Sequence, residues 1–137
     1  MPENDVRLYD PAKVVTMVNG DYVTGWGDGN FIRAERYEDQ YAIKVGATGA
    51  SARTTNNNQS GSIKIVILQT SPWAKKFREL EKSRDTFPVV CIDNNEDGDD
   101  GFTAEQAWVK KAAPFSRGDK DAENMEVEIE TNRLIFN

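Results

Sequence analysis

Alternating apolar and polar positions in the first third of the chain predict β-strands. The run from Val14 to Val18 is largely β-branched, it ends at Asn19-Gly20, and alternation resumes from Asp21 to Trp26. Asn-Gly between two such runs predicts a tight hairpin, because a type I′ turn requires a positive φ at both of its central residues. A glycine-rich turn follows over residues 25–29, and residues 31–36 are predicted to form a third strand.

A second hairpin is predicted immediately downstream, and it forms a long arm over about residues 40–56. Tyr41, Ile43 and Val45 share one face of a strand, residues 46–50 turn the chain, and residues 51–55 return antiparallel. The tip of this arm is built almost entirely of small residues. A two-stranded hairpin is marginally stable alone in water, so we expect the arm to lie across its own domain or to be supported by neighbouring subunits, with the second slightly favoured.

The remaining pattern predicts more strands around a single helix. Residues 63–68 form an apolar run that we expect to be covered on both faces, and a helix is predicted over about residues 72–84. This helix begins with Ser71 as N-cap and Pro72 at its first position, followed by an amphipathic spacing. Further strands are predicted over residues 87–92, 104–113 and 125–131, the second of these weakly. The prediction is about eight strands and one helix in one domain of residues 1–137.

Composition narrows the possible functions of the chain. It contains no histidine, which excludes Ser-His and Cys-His nucleophile pairs and His-ligated zinc. A net charge of −6 argues against ordinary nucleic-acid binding, which depends on neutralising phosphates. The single cysteine, Cys91, lies in an apolar run and is interpreted as a small core residue. Because these catalytic groups are excluded, we expect a protein that is not an enzyme. Because no signal peptide or apolar membrane segment is evident, we expect it to be made in a cytosol.

An acidic segment from Asp93 to Gly101 resembles half of a calcium-binding loop. Asp93, Asn95, Asp97 and Gly98 fit the first half of the EF-hand pattern, but Ala104 stands where the twelfth position requires glutamate. We therefore favour a solvated β-turn over a calcium site. A calcium-dependent binding module is kept as an alternative, and neither a metal nor a cofactor is assigned.

Three glutamates alternate with apolar residues near the C-terminus. Glu126, Glu128 and Glu130 are predicted to point outward from one strand whose inward residues are Met125, Val127 and Ile129. Three equivalent carboxylates lack the contrasting environments that a catalytic pair needs. The stripe is interpreted as either an ordinary solvated face or a functional negative surface.

The first 75 residues resemble the tail-tube proteins of contractile-tailed phages. The resemblance is carried, in order, by Tyr9-Asp10-Pro11, by Gly25-x-Gly27-Asp28-Gly29, by Glu38-Asp39 followed by Val45-Gly46-Ala47, and by Ser60-Gly61 leading to Gln69-Thr70-Ser71-Pro72. It implies a mainly β fold, a tail-tube-type β-sandwich or barrel with one flanking helix and a long hairpin arm. The C-terminal half matches the family mainly in outline.

The resemblance also implies a function by self-assembly. Such subunits form hexameric rings that stack into a tube in the virion, surrounded by a sheath protein and containing a tape-measure protein and then genomic DNA. On this interpretation ring and stacking contacts are assigned to the arm and to the glycine-rich loop, at Tyr41, Ile43, Val45, Gly46, Ala47, Thr48, Gly49, Ala50, Arg53, Trp26 and Asp28. Glu126, Glu128 and Glu130 are the candidates for the channel face. A ring protein that initiates or terminates the tube is the alternative within the same class.

Overall fold

The computed structural model describes residue 6 and residues 8–95, 100–111, 113–119 and 123–137. Within these residues the chain forms ten strands, one α-helix (α1, Pro72–Ser83) and a short 3-10 turn at Pro11–Lys13. The strands are β1 (Val14–Val18), β2 (Asp21–Tyr22), β3 (Ile32–Arg36), β4 (Tyr41–Val45), β5 (Ser51–Thr55), β6 (Gly61–Leu68), β7 (Phe87–Asp93), β8 (Asp100–Lys111), β9 (Asn124–Thr131) and β10 (Ile135–Phe136).

Eight of these strands belong to one antiparallel sheet. Its order is β2-β1-β7-β8-β9-β6-β3, and β10 pairs with β8 beside it, whereas β4 and β5 form a separate two-stranded sheet. The longest ladder joins β6 to β9 over eight residue pairs, from Gly61–Thr131 to Leu68–Asn124. The predicted first hairpin is confirmed, because β1 pairs with β2 and the turn residues Asn19 and Gly20 have φ values of 53° and 86°.

The two ends of the main sheet approach each other, so the sheet curls towards a barrel. The Val23 amide donates to the Thr16 carbonyl on β1, and two residues later the Gly25 carbonyl accepts from Leu68 on β6. Two residues span at most about 7 Å, although β1 and β6 are four positions apart in the sheet. Gly25 is required at this crossing, since its φ is +73° and an added Cβ would lie 2.6 Å from Ser71.

One apolar core fills the space between this curved sheet and α1. Ile63, Ile65 and Ile67 of β6 are buried beside alternate residues of β9 and the helix residues Trp73 and Phe77. The helix begins at the predicted cap, where the Ser71 hydroxyl accepts from the Trp73 amide, and it ends before Arg84, which is left-handed. In the described part of the chain no helix has the length and apolar character to cross a membrane.

The structure corrects two sequence-based expectations. The run in β6 is fully covered on one face only, because Val66 and Leu68 on the opposite face are half-buried. Ten strands are found in the described residues in place of about eight, and β10 is a two-residue strand too short to give a periodic signal. The mainly β fold with one flanking helix and a hairpin arm is confirmed. The segment predicted as a strand over residues 104–113 belongs to β8, which begins earlier, at Asp100, and ends at Lys111.

Candidate assembly surface

The arm formed by β4 and β5 is exposed along the whole of both strands. Every residue of both strands is exposed, including the apolar side chains of Tyr41, Ile43 and Val45 at 56%, 73% and 62%. At the tip the Gly46 amide donates to the Ala50 carbonyl over 2.7 Å. Large apolar side chains displayed together in this way are typical of an interaction surface.

The strand register of the arm places its two charged side chains, Arg53 and Lys44, on opposite faces. Ile43 pairs with Arg53 and Lys44 pairs with Ala52, and directly paired residues in an antiparallel ladder share a face. Arg53 therefore lies on the apolar face, where its guanidinium carbon is 4.6 Å from the ring centre of Tyr41. Lys44 lies on the other face. One face of the arm therefore carries apolar side chains together with Arg53, and the opposite face carries Lys44.

Hydrogen bonds join the two segments that form the root of the arm. The Asn56 amide donates to the Gln40 carbonyl over 2.7 Å, and the Asn56 side chain donates to the Asp39 carbonyl over 2.9 Å. The Gln40 side chain donates across to the Asn58 carbonyl over 3.1 Å. The arm is thus held at its root while both of its faces remain in contact with solvent.

The two candidate residues of the glycine-rich loop, residues 25–30, have different environments. Trp26 is half-buried, forms an isolated bridge with Ile67 and packs its ring 5.1 Å from that of Phe31. Trp26 therefore helps to close the wall of the barrel. Asp28 is exposed, and its backbone amide donates to the side-chain oxygen of Asn124 over 3.3 Å.

The strand β3 has an unpaired edge. Its hydrogen bonds to β6 include Val66 amide to Phe31 carbonyl and Tyr37 amide to Ser60 carbonyl. Because hydrogen-bonded pairs alternate along an antiparallel ladder, the amides and carbonyls of Ile32, Ala34 and Arg36 point away from β6. No further strand pairs with this side of β3 in the described residues, and such an edge is a template for another chain.

A second free edge lies at the other end of the same four strands. β8 pairs with β7 only as far as Phe87–Ala107, whereas its pairing with β9 continues to Lys111–Glu128. Beyond Ala107, no strand among the described residues covers the side of β8 that faces away from β9. The segment β3-β6-β9-β8 therefore ends in an open edge on both sides.

The predicted glutamate stripe is present, but cations surround it. Met125, Val127 and Ile129 are buried, whereas Glu126 is exposed and Glu128 and Glu130 are half-buried on the opposite face. Lys64 Nζ lies 3.7 Å from Glu126, and Lys110 Nζ lies 3.9 Å from Glu130. Across β3, β6, β9 and the end of β8, four acids accompany four bases: Glu35, Glu126, Glu128 and Glu130 with Arg33, Lys64, Lys110 and Lys111. This face is close to neutral, which the stripe alone did not reveal.

Tyr37 connects this face to the root of the arm. Its hydroxyl donates to the Glu130 carboxylate over 2.6 Å, and Lys110 Nζ lies 5.8 Å from its ring centre. Partial burial of the phenol and the hydrogen bond to Glu130 raise the pKa of Tyr37 well above its ordinary value. The tyrosine therefore remains a neutral donor at physiological pH.

The acidic loop begins with local hydrogen bonds that explain its polar residues. Asp93 accepts from the amide and the side chain of Asn95, and these bonds lower the pKa of Asp93. Asn95 in turn bonds the backbone of Asp10. The centre of the loop, residues 96–99, lies outside the described residues, and within the described residues no cluster of metal-ligating side chains is present.

Comparison with known proteins shows similarity at the level of the fold. No protein-family model and no curated protein sequence matches the chain. A cryo-EM structure of the tube-terminating cap of the anti-feeding prophage is similar, with a TM-score of 0.66 and 12% identity over 98% of this chain and 95% of that one.

Two structures from an extracellular contractile injection system, PVC, are similar to this chain to about the same degree as the prophage cap. The sheath/tube terminator has a TM-score of 0.69 and 13% identity over 95% of this chain and 96% of that one. A chain of the sheath-tube complex has a TM-score of 0.68 and 13% identity over 98% and 93%. The chain thus has the tube-type fold of contractile tail-like assemblies, as the resemblance implied.

Proposed function

We propose that this protein is a structural subunit of a contractile tail tube, which assembles into stacked hexameric rings rather than catalysing a reaction. The observation that carries this proposal is the pair of free edges that flank β3-β6-β9-β8. A sheet with one open edge at each end is complementary to copies of itself, and head-to-tail contacts of this kind close into a ring when the rotation permits. The shared fold of tube and terminator proteins supports the same conclusion.

The directions of the strands suit this closure. β3, β6, β9 and β8 alternate in direction, so β8 of one copy would pair antiparallel with β3 of the next and continue the alternation. Six copies would contribute 24 strands. At about 4.8 Å per strand the wall has a circumference of about 115 Å and a backbone diameter of about 37 Å, before strand tilt widens it.

The two faces of the sheet would then have different neighbours. The face with Glu126, Glu128 and Glu130 would line the channel, and α1, which packs on the opposite face, would lie on the outer wall near a sheath. The lumen would receive a tape-measure protein and then DNA without sequence-specific binding. Because its acids are balanced by bases, this face would attract the DNA phosphates only weakly. Its lack of net charge, rather than a large negative charge, would keep DNA from binding to the channel.

Assembly of purified protein tests the proposal directly. We expect wild-type protein to form rings of about six copies, seen by negative-stain microscopy and as a large species in sedimentation. Ala34→Pro is the informative variant, because proline is tolerated at an edge while it removes the outward amide at the centre of the open β3 edge. The variant should unfold at the temperature of the wild-type monomer yet remain monomeric. Wild-type protein that stays monomeric at high concentration would contradict the proposal.

A ring that terminates or initiates a tube is the second candidate. It is favoured by the similarity to two terminating structures, the prophage cap and the PVC terminator. The same micrographs separate the two roles. A main tube subunit should give filaments whose length grows with concentration, whereas a terminal ring should give discrete rings that do not polymerise.

A further inference from the structure

An open apolar cleft lies beside the start of β3, whereas the arm follows the end of that strand. It has a volume of about 640 Å³ and is lined on one side by Tyr9 and Val14 and on the other by Trp26, Phe31 and Ile32. Clefts of this size accommodate several side chains. The cleft forms where the crossing segment between β2 and β3 passes the start of β1, and no residue of the arm contributes to it.

The charges of the cleft and of the arm are complementary. Among the described residues, the side chains that line the cleft include one acid, Asp28, and no base. Residues 41–55 include two bases, Lys44 and Arg53, and no acid. Arg53 lies on the same face of the arm as Ile43 and Val45, so this face presents apolar side chains together with a cation, and the cleft presents an apolar floor together with an anion.

The cleft and the root of the arm are separated along β3. Ile32, which lines the cleft, is the first residue of β3, whereas the arm leaves the barrel after the last residue, Arg36. The four residue steps of β3 span about 13 Å, so the root of the arm and the cleft lie at opposite ends of this strand. Because every residue of β4 and β5 is exposed, the arm is accessible to a copy stacked along β3, and repeated contacts of this kind generate an open polymer.

We infer that the arm of each subunit docks in the cleft of a copy in the adjacent ring, with Ile43 and Val45 against the apolar floor and Arg53 beside Asp28. The inference rests on the proposed function and assigns its stacking contact. Edge pairing through β3 and β8 closes a ring, and the arm then joins one ring to the next. Ile32 takes part in both contacts, through its backbone at the β3 edge and as a lining residue of the cleft, but Arg53 and Asp28 belong to docking alone, so the two contacts are separable by mutation.

Opposite faces of the arm supply a matched pair of variants. Arg53→Glu and Lys44→Glu make the same change of charge on neighbouring rungs, but only the first places an anion on the apolar face. Placing like charges together at an interface is strongly unfavourable, so Arg53→Glu should convert filaments into discrete rings. Lys44→Glu should form filaments at a critical concentration within about twofold of the wild type. Combining Arg53→Glu with Asp28→Arg should restore filaments.

The outcomes distinguish failure of the inference from failure of the proposed function. If wild-type protein and both single variants form the same filaments, the docking inference is overturned and the tube function stands. Loss of filaments in both single variants also overturns it, because the apolar face would not be selective. Failure of the charge swap to restore stacking refutes the pairing of Arg53 with Asp28. Wild-type protein that forms no rings overturns the function itself.

A crosslink between two copies gives an independent measurement. The single native cysteine, Cys91, is buried, and burial raises the pKa of its thiol, so new exposed cysteines can be labelled selectively. Ile43→Cys and Asn30→Cys, made on separate chains and mixed, should yield covalent dimers with a short bifunctional thiol reagent. Mixing Ala42→Cys, on the other face of the arm, with Asn30→Cys should yield at least about tenfold fewer dimers. Equal yields from the two mixtures would refute the docking geometry.

Discussion

The barrel wall and the arm are both antiparallel ladders, yet they are stabilised in different ways. In β6 every second residue is buried, and its backbone pairs with β9 on one side and β3 on the other. In β4 and β5 every residue is exposed, and each strand pairs only with the other. The wall is stabilised by its own core, whereas the arm displays apolar residues that no described residue of its own chain buries. This difference supports the proposal that the arm binds a surface of another copy.

Shortening the arm is expected to have the largest effect on assembly and almost none on folding. Replacement of residues 46–50 by Asn-Gly retains a permitted hairpin turn but shortens the reach of the arm. We expect the thermal unfolding temperature of the subunit to stay within about 2 °C of the wild type, since no core residue is lost. Filament formation, measured by light scattering and microscopy, should be abolished.

Normal filaments from this shortened variant would show that the tip, residues 46–50, is not needed for stacking. The matched control is the substitution Thr48→Ser at the tip, which leaves the length of the arm unchanged. It should assemble as the wild type does.

A pair of isoleucines tests the contrast between wall and arm on stability. Ile65 is fully buried and Ile43 is 73% exposed, although both occupy central positions of antiparallel strands. Ile65→Ala should lower the free energy of unfolding by about 2–5 kcal/mol, because it removes buried methyl groups and leaves a cavity. Ile43→Ala should change it by less than about 0.5 kcal/mol. Urea unfolding at a protein concentration below that of assembly measures both values.

Equal losses in the two isoleucine variants would mean that the arm packs on its own barrel in solution. That result would remove the physical basis for docking between copies. Ile63→Ala, in the same buried row as Ile65, provides the control and should resemble Ile65→Ala.

Much of the wall and the arm could be predicted from sequence because their signals are local. Asn19-Gly20 specifies a turn through positive φ, Ser71-Pro72 specifies a helix start, and alternation specifies β9. The bounds of β4 and β5 follow from the alternation of Tyr41, Ile43 and Val45 and from the small residues after them. These features depend on a few neighbouring residues, so one sequence is sufficient.

The features that were missed depend on distant segments meeting. The cleft joins residues 9–14 to residues 26–32 only after the sheet curls, and no periodicity reveals it. The neutrality of the glutamate face depends on Lys64 and Lys111 in neighbouring strands. Trp26 was assigned to subunit contacts from its place in a glycine-rich loop, whereas the structure also gives it a role in closing the barrel. The prediction that β6 is covered on both faces was wrong, because an apolar run does not reveal which elements pack on each face.

Tyr37 lies where the wall becomes the arm, and its substitution should have the smallest effect. Tyr37→Phe removes the hydrogen bond to Glu130 but retains the ring, and because the tyrosine is 46% exposed the loss should be below about 1 kcal/mol. The pKa of Tyr37 is raised on folding, so its contribution is fully present below the unfolded value of about 10 and is lost as the pH rises from there towards the folded value. The difference in unfolding free energy between the wild type and Tyr37→Phe should therefore be constant from pH 7 to 9 and shrink above pH 10. A difference that grows in alkali would mean that the phenol is not the donor that links the root of the arm to the wall.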